Sequence, residues 1–144
     1  MKIVLLPIDG SEASLKAVHQ LLSLSNSLQW IQAILLNVEP PVPLLERMVG
    51  GHPKDMRALE EPARVTGDKV LAPAKAELDR AGVRNTTHVE FGDPAEVIAA
   101  RAKEWNADLI LMGMHGGGLI GSRSLGSVTR RVLHLTEVPV MLVK

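Results

Sequence analysis

Four stretches of the chain are apolar at nearly every position: Ile3 to Ile8, Ala33 to Val38, Leu109 to Met112 and Val138 to Val143. Short runs without polar alternation predict strands, and the first run predicts one covered on both faces, central in a parallel sheet. Thr86 to Phe91 is different, because Thr87, Val89 and Phe91 alternate with His88 and Glu90; that pattern predicts a strand at or near a sheet edge. Between these runs the apolar spacing becomes helical. Ala13, Ala17, Leu21, Leu24 and Leu28 make one stripe of a helix expected over Glu12 to Leu28. A second helix is expected from about Pro62 to Arg80. A third carries Val97, Ile98 and Ala102 inward and ends before Asp108, and a fourth, amphipathic helix covers Val128 to Leu135.

Local signals set the boundaries. Asp9 and Glu12 have the spacing of a capping box, although Ser11 competes for the cap. Asp93-Pro94-Ala95-Glu96 reads as a helix start, with Asp93 as cap and Pro94 at the first position. Gly82 is expected in the left-handed conformation that closes the second helix. Inside that helix Pro73 predicts a kink or interruption, and Gly67 weakens it further. Residues 40–62, rich in proline and glycine, read as a loop or lid with one helical turn. Five strands alternating with helices imply a doubly wound parallel α/β sheet with helices on both faces, Rossmann-like, because parallel neighbours need crossover connections. At 144 residues this is a single domain, residues 1–144.

Composition narrows the function. Sixteen basic residues balance sixteen acidic ones without a long single-sign run, so no electrostatic footprint for nucleic acid or an anionic membrane is visible. One Phe, two Trp and no Tyr make base stacking improbable. No cysteine is present, which removes thiolate metal sites and thiol catalysis. No apolar run approaches the roughly 20 residues that span a bilayer, and Ile3 to Ile8 is too short for a signal-peptide core, so a cytoplasmic location is expected. His19, His52, His88, His115 and His134 show no metal-ligand spacing.

The chemistry concentrates in residues 113–127, a glycine-rich loop between the strand at Leu109 and the helix whose first turn is Ser127-Val128-Thr129. Glycine lets successive N–H groups turn inward without a Cβ to hold a ligand away. The helix adds its unpaired first-turn N–H groups and the positive end of its dipole, and Ser127 and Thr129 add hydroxyls. An anion such as phosphate suits this arrangement; a plain surface loop is the alternative. A Walker A loop is excluded, because no lysine lies between Lys103 and Lys144. The letters Gly-x-Gly-x-x-Gly occur at 116–121, but too far past the strand for the dinucleotide fingerprint.

Another spacing fits without a gap: Gly113, two residues, Gly116, nine residues, Gly126 and Ser127. This stretch resembles the G-x2-G-x9-G-[S/T] motif of the ATP-binding branch of the universal stress protein family. The likeness extends to Pro7-Ile8-Asp9-Gly10-Ser11, Gly92-Asp93-Pro94-Ala95-Glu96, Ala107-Asp108-Leu109-Ile110 and Val138-Pro139-Val140-Met141, in the family's order. The resemblance implies strand order 3-2-1-4-5, ATP as ligand, Asp9 facing the nucleoside, Pro7 lining the base and the backbone of Val38 meeting the adenine edge. It also implies a homodimer through antiparallel pairing of the Val138–Val143 strand. In that order Asp9 and the 113–127 loop leave from adjacent strand ends, where ligands bind in open α/β sheets.

The expected nucleotide-binding residues are therefore Pro7, Asp9, Val38, Gly113, His115, Gly116, Gly126, Ser127, Val128 and Thr129. Asp9 has a second reading as a helix cap, and a third as a partner for magnesium shared with nucleotide phosphates. His115 and Arg123 lie within the loop, either solvated or within reach of phosphate. Asp108 is expected to be structural, at the opposite end of the sheet. Ser122, Ser124 and Ser127 lack an identifiable base and orienting acid, so no hydrolase triad can be assembled. The expectation is a regulatory ATP-binding module with at most slow turnover. A nucleotide-hydrolysing or nucleotidyl-transferring enzyme, and a structural dimer with a vestigial loop, are the alternatives.

Overall fold

The computed structural model describes residues 1–24, 28–41, 56–115 and 125–144. Five parallel strands, β1 (Lys2–Pro7), β2 (Ile31–Glu39), β3 (Arg84–Phe91), β4 (Leu109–Gly113) and β5 (Val140–Val143), lie in the order β3-β2-β1-β4-β5. Among the described residues four α-helices connect them: α1 (Glu12–Ser23), α2 (Met56–Arg80), α3 (Pro94–Glu104) and α4 (Ser127–Leu135). This is the doubly wound order that the family likeness implied. β1 is central, paired with β2 from Lys2↔Ile31 to Pro7↔Leu36 and with β4 at Val4↔Leu109 and Leu5↔Ile110. The alternating segment, β3, forms one edge.

Two core layers follow from the period of the pleat, which sends successive side chains to opposite faces. Val4, Leu6, Ala33, Leu35 and Leu111 pack with Ala17, Val18 and Leu21 of α1 and Leu71, Ala74 and Leu78 of α2. Leu5, Ile34, Leu36, Ile110 and Met112 pack with Ala95, Ile98 and Ala102 of α3 and Val132 of α4. The continuous apolar runs are therefore needed: both faces of the central strands are covered. At the amino ends, Asp108 ties β1 to β4, accepting the Ile3 N–H at 2.8 Å and a bond from the Lys2 ammonium at 3.2 Å. Those contacts hold its carboxyl below the usual 3.8, the Ile3 N–H being the larger cause. The structural role expected for Asp108 is the one observed.

Two helix boundaries and one expected kink differ from expectation. α1 stops at Ser23, and Leu24 is its exposed C-cap rather than part of the buried stripe. Twelve residues at about 1.5 Å each nearly match six strand residues at about 3.3 Å, so the helix ends where the sheet ends. α2 begins at Met56 and runs unbroken to Arg80, through both Pro62 and Pro73. Burial of Leu71, Ala74 and Leu78 around Pro73 outweighs one missing hydrogen bond. Gly67 also has a reason: a Cβ there would lie 2.7 Å from the Val89 side chain and 2.8 Å from Asn37 Oδ1, where α2 crosses the sheet closely. Gly82 takes the expected left-handed conformation, at φ 70°. Of the proposed lid, residues 42–55 lie outside the described residues, and 56–62 belong to α2.

Candidate functional site

β1 and β4 are adjacent, but their connections leave in opposite directions, α1 to one face and α4 to the other. A crevice opens at their carboxyl ends, as expected at a topological switch point. It holds a cavity of about 330 Å³, within the range of small-molecule sites. Of the residues singled out from the sequence, Pro7, Asp9, Val38, Gly113, His115, Gly126, Ser127, Val128 and Thr129 all line it. Gly116 and Arg123 lie outside the described residues. Leu36, Ile98 and Met112 complete an apolar floor, and Ser11, Ser14 and Pro94 add to the wall. These were not anticipated. Pro94 and Ile98 follow from the Asp93-Pro94 helix start once the strand order is known, because α3 must begin at the same sheet edge.

Three helix N-termini meet at this crevice, and they are finished differently. On α1, Ser11 is the N-cap: its Oγ accepts the Ser14 N–H at 3.2 Å, and the Ser14 hydroxyl donates to the Ser11 carbonyl at 2.9 Å. Asp9 is not the cap. Its Oδ1 accepts the Ser11 N–H at 2.9 Å, a short Asx-type turn, and the carboxylate stays exposed at the cavity. On α3, Asp93 is the cap, accepting the Glu96 N–H at 3.1 Å, with Pro94 in the first turn. On α4 the cap position is Gly126, which has no side chain to offer. The first-turn N–H groups of Ser127, Val128 and Thr129 find no acceptor within their own helix.

Two expected ligand groups have internal roles. The Thr129 hydroxyl is buried and donates to the Gly113 carbonyl at 3.2 Å, so it joins α4 to the end of β4 rather than facing an anion. The backbone closes the same junction, with the Gly126 N–H donating to the Met114 carbonyl at 2.8 Å. Gly113 is explained by packing: a Cβ there would lie 2.6 Å from the Ala13 carbonyl oxygen and 2.8 Å from the Ala13 Cβ. The backbone of Gly113 still lines the cavity, but its missing side chain has a structural reason. It clears space for α1. Gly126 is different, since its φ of −60° and ψ of 154° are open to any residue and backbone strain does not call for glycine.

The site thus joins an apolar floor, an exposed carboxylate at Asp9 and an open helix N-terminus. Among the described residues, no group of three or more His, Asp or Glu could hold a metal ion. The profile described as Universal stress protein family matches residues 1–144. The chain belongs to the universal stress protein family. It is similar to the universal stress protein Sll1654 of Synechocystis sp., at 32% identity over 142 residues that cover 99% of this chain and 85% of that one. The solved structure of MJ0577 from Methanocaldococcus jannaschii is also similar, at a TM-score of 0.82 and 27% identity, over 99% of this chain and 95% of that chain. A family protein of Arabidopsis thaliana with AMP bound shares the fold, at a TM-score of 0.68 and 21% identity, over 100% of this chain and 92% of that one.

Proposed function

We propose that this universal stress protein is a regulatory module that binds ATP in the crevice between β1 and β4, with at most slow turnover. One observation carries the reading: beside an apolar cavity with two self-capped helices, α4 presents a first turn without a side-chain cap at Gly126. An apolar ring fits the floor of Leu36, Val38, Ile98 and Met112. An anion fits the N–H groups of Ser127 to Thr129 and the Ser127 hydroxyl. The free side of Asp9 suits ribose hydroxyls, with Pro7 against the base. Gly116 and His115 belong to the same loop and would approach the phosphates. Magnesium would reach Asp9 only together with phosphate oxygens, because one carboxylate is too few ligands alone. The AMP held by the Arabidopsis family protein supports an adenine nucleotide as the ligand class.

Calorimetric titration with ATP, ADP, AMP and adenosine tests this reading, together with mass spectrometry of nucleotide released on denaturation. Asp9→Ala is expected to weaken both adenosine and ATP, whereas Ser127→Ala weakens ATP and leaves adenosine nearly unchanged. Absence of binding to all four rejects the nucleotide site. A phosphate-release assay with magnesium separates a binding module from a hydrolase.

The same reading includes a homodimer. β5 is an edge strand, partnered on one side by β4, with Met141 38% exposed. Antiparallel pairing through Val138–Val143, centred on Val140 to Val143, would satisfy its free backbone groups. A monomer by sedimentation at micromolar concentration rejects it.

A further inference from the structure

The wall of the cavity has a support that lies outside it. Arg131 Nη1 donates to both carboxylate oxygens of Asp93, at 2.9 Å to Oδ1 and 2.7 Å to Oδ2, and Arg131 Nη2 lies 3.6 Å from Glu96 Oε1. Asp93 Oδ1 is also the acceptor that caps α3, and Arg131 stands one turn beyond Ser127 on α4. One carboxylate therefore closes one helix and holds the other. Next to these two residues are the groups that shape the cavity: Pro94 and Ile98 on α3, Ser127 and Val128 on α4.

The remaining contact between α3 and α4 is apolar, through Ala95, Ile98, Val128 and Val132. Apolar contact is non-directional and leaves two helices free to slide by small amounts, whereas an Arg–carboxylate pair fixes both distance and direction. The pair is half exposed, with side-chain accessibilities of 50% and 38%, so its direct worth in stability is small. Its consequence is geometric. We propose that the Asp93–Arg131 pair is a positioning latch that sets the gap between Pro94 on α3 and Val128 on α4, and with it the fit of a nucleotide in the cavity. This rests on the nucleotide reading above.

The test compares Asp93→Asn, Arg131→Met and the double variant. Asparagine still caps a helix, so Asp93→Asn removes the pair and keeps the cap. Each single variant is expected to bind AMP about fivefold more weakly, with the double no weaker than the singles and Arg131→Lys intermediate because it keeps the charge but loses the rigid, planar guanidinium that reaches Asp93 and Glu96 together. In the unliganded protein, hydrogen exchange at the Arg130 and Val132 amides of α4 is expected to quicken in each variant, while the melting temperature barely moves. Parent-like AMP affinity, losses that add in the double variant, or weaker binding with unchanged exchange would each overturn the latch. If the parent binds no adenine nucleotide, the nucleotide reading falls. The exchange data then decide the latch alone: faster exchange upholds it, and parent-like exchange removes it.

Discussion

α1 and α4 both begin at the carboxyl end of a central strand and both open onto the same cavity, yet one is closed and the other is not. At α1 the local bonds are complete: Ser11 caps, Ser14 returns a hydroxyl bond, and Asp9 holds the Ser11 N–H. The helix also sits so close to β4 that Gly113 has no room for a Cβ. At α4 the cap is a glycine in an ordinary extended conformation, and the one buried hydroxyl of the first turn is directed back to the end of β4. α1 is a wall, and α4 is the receptor of the proposed function. Where the chain withholds the capping side chain, all of the first-turn N–H groups stay available to an anion.

The sharpest way to break this contrast is at its glycines. Gly113→Val must place a branched side chain where the Ala13 carbonyl stands, and is expected to destabilise the fold by about 3 kcal/mol in urea denaturation. A variant as stable as the parent would show that α1 can move away. Gly126→Val is expected to do the reverse, lowering ATP affinity at least about tenfold, or about 1.4 kcal/mol, while the denaturation midpoint stays near that of the parent. Parent-like ATP binding by a folded variant would mean that the anion is not held at α4. Gly118→Ala, in the loop's spacer, is expected to be much milder.

Ser11→Ala removes the cap of α1 and is expected to cost about 1 kcal/mol of stability with ATP affinity little changed. A larger loss in affinity than in stability would make Ser11 part of the receptor. Acid gives the smallest effect. Asp93 is held below the usual 3.8 by the Glu96 N–H and by Arg131, and Asp79 by Lys75 and Asn85. A carboxyl lowered on folding adds stability above its unfolded value and loses it as pH falls through its folded one. Urea midpoints should therefore drop below about pH 4, and Asp93→Asn should flatten the drop. Glu39 has the opposite sign, because burial raises its carboxyl, so Glu39→Gln should slightly stabilise the fold at neutral pH.

Most strands were legible because a two-sided sheet leaves a direct trace. Val4, Leu5 and Leu6 are buried on alternate faces, so neither face tolerates a polar residue, and β3 shows its edge position through His88 and Glu90. The Asp93-Pro94 start and the turn at Gly82 were equally readable, since both depend on nearest neighbours along the chain. The course of α2 was not. Propensity at Pro62 and Pro73 is a local preference, and the buried contacts of Leu71, Ala74 and Leu78 that override it come from strands distant in sequence.

The candidate site divides along the same line. The spacing of Gly113, Gly126 and Ser127 marked the loop, and the run of residue types alone announced an open helix start there. That Gly113 clears space for α1 depended on Ala13, brought against β4 from a hundred residues earlier in the chain. The pairing of Asp93 with Arg131 across 38 residues likewise had no local signature. Periodicity and turn chemistry act between neighbours and can be read in order. The width of a cavity, and the direction in which a side chain is spent, depend on elements that meet only once the sheet has formed.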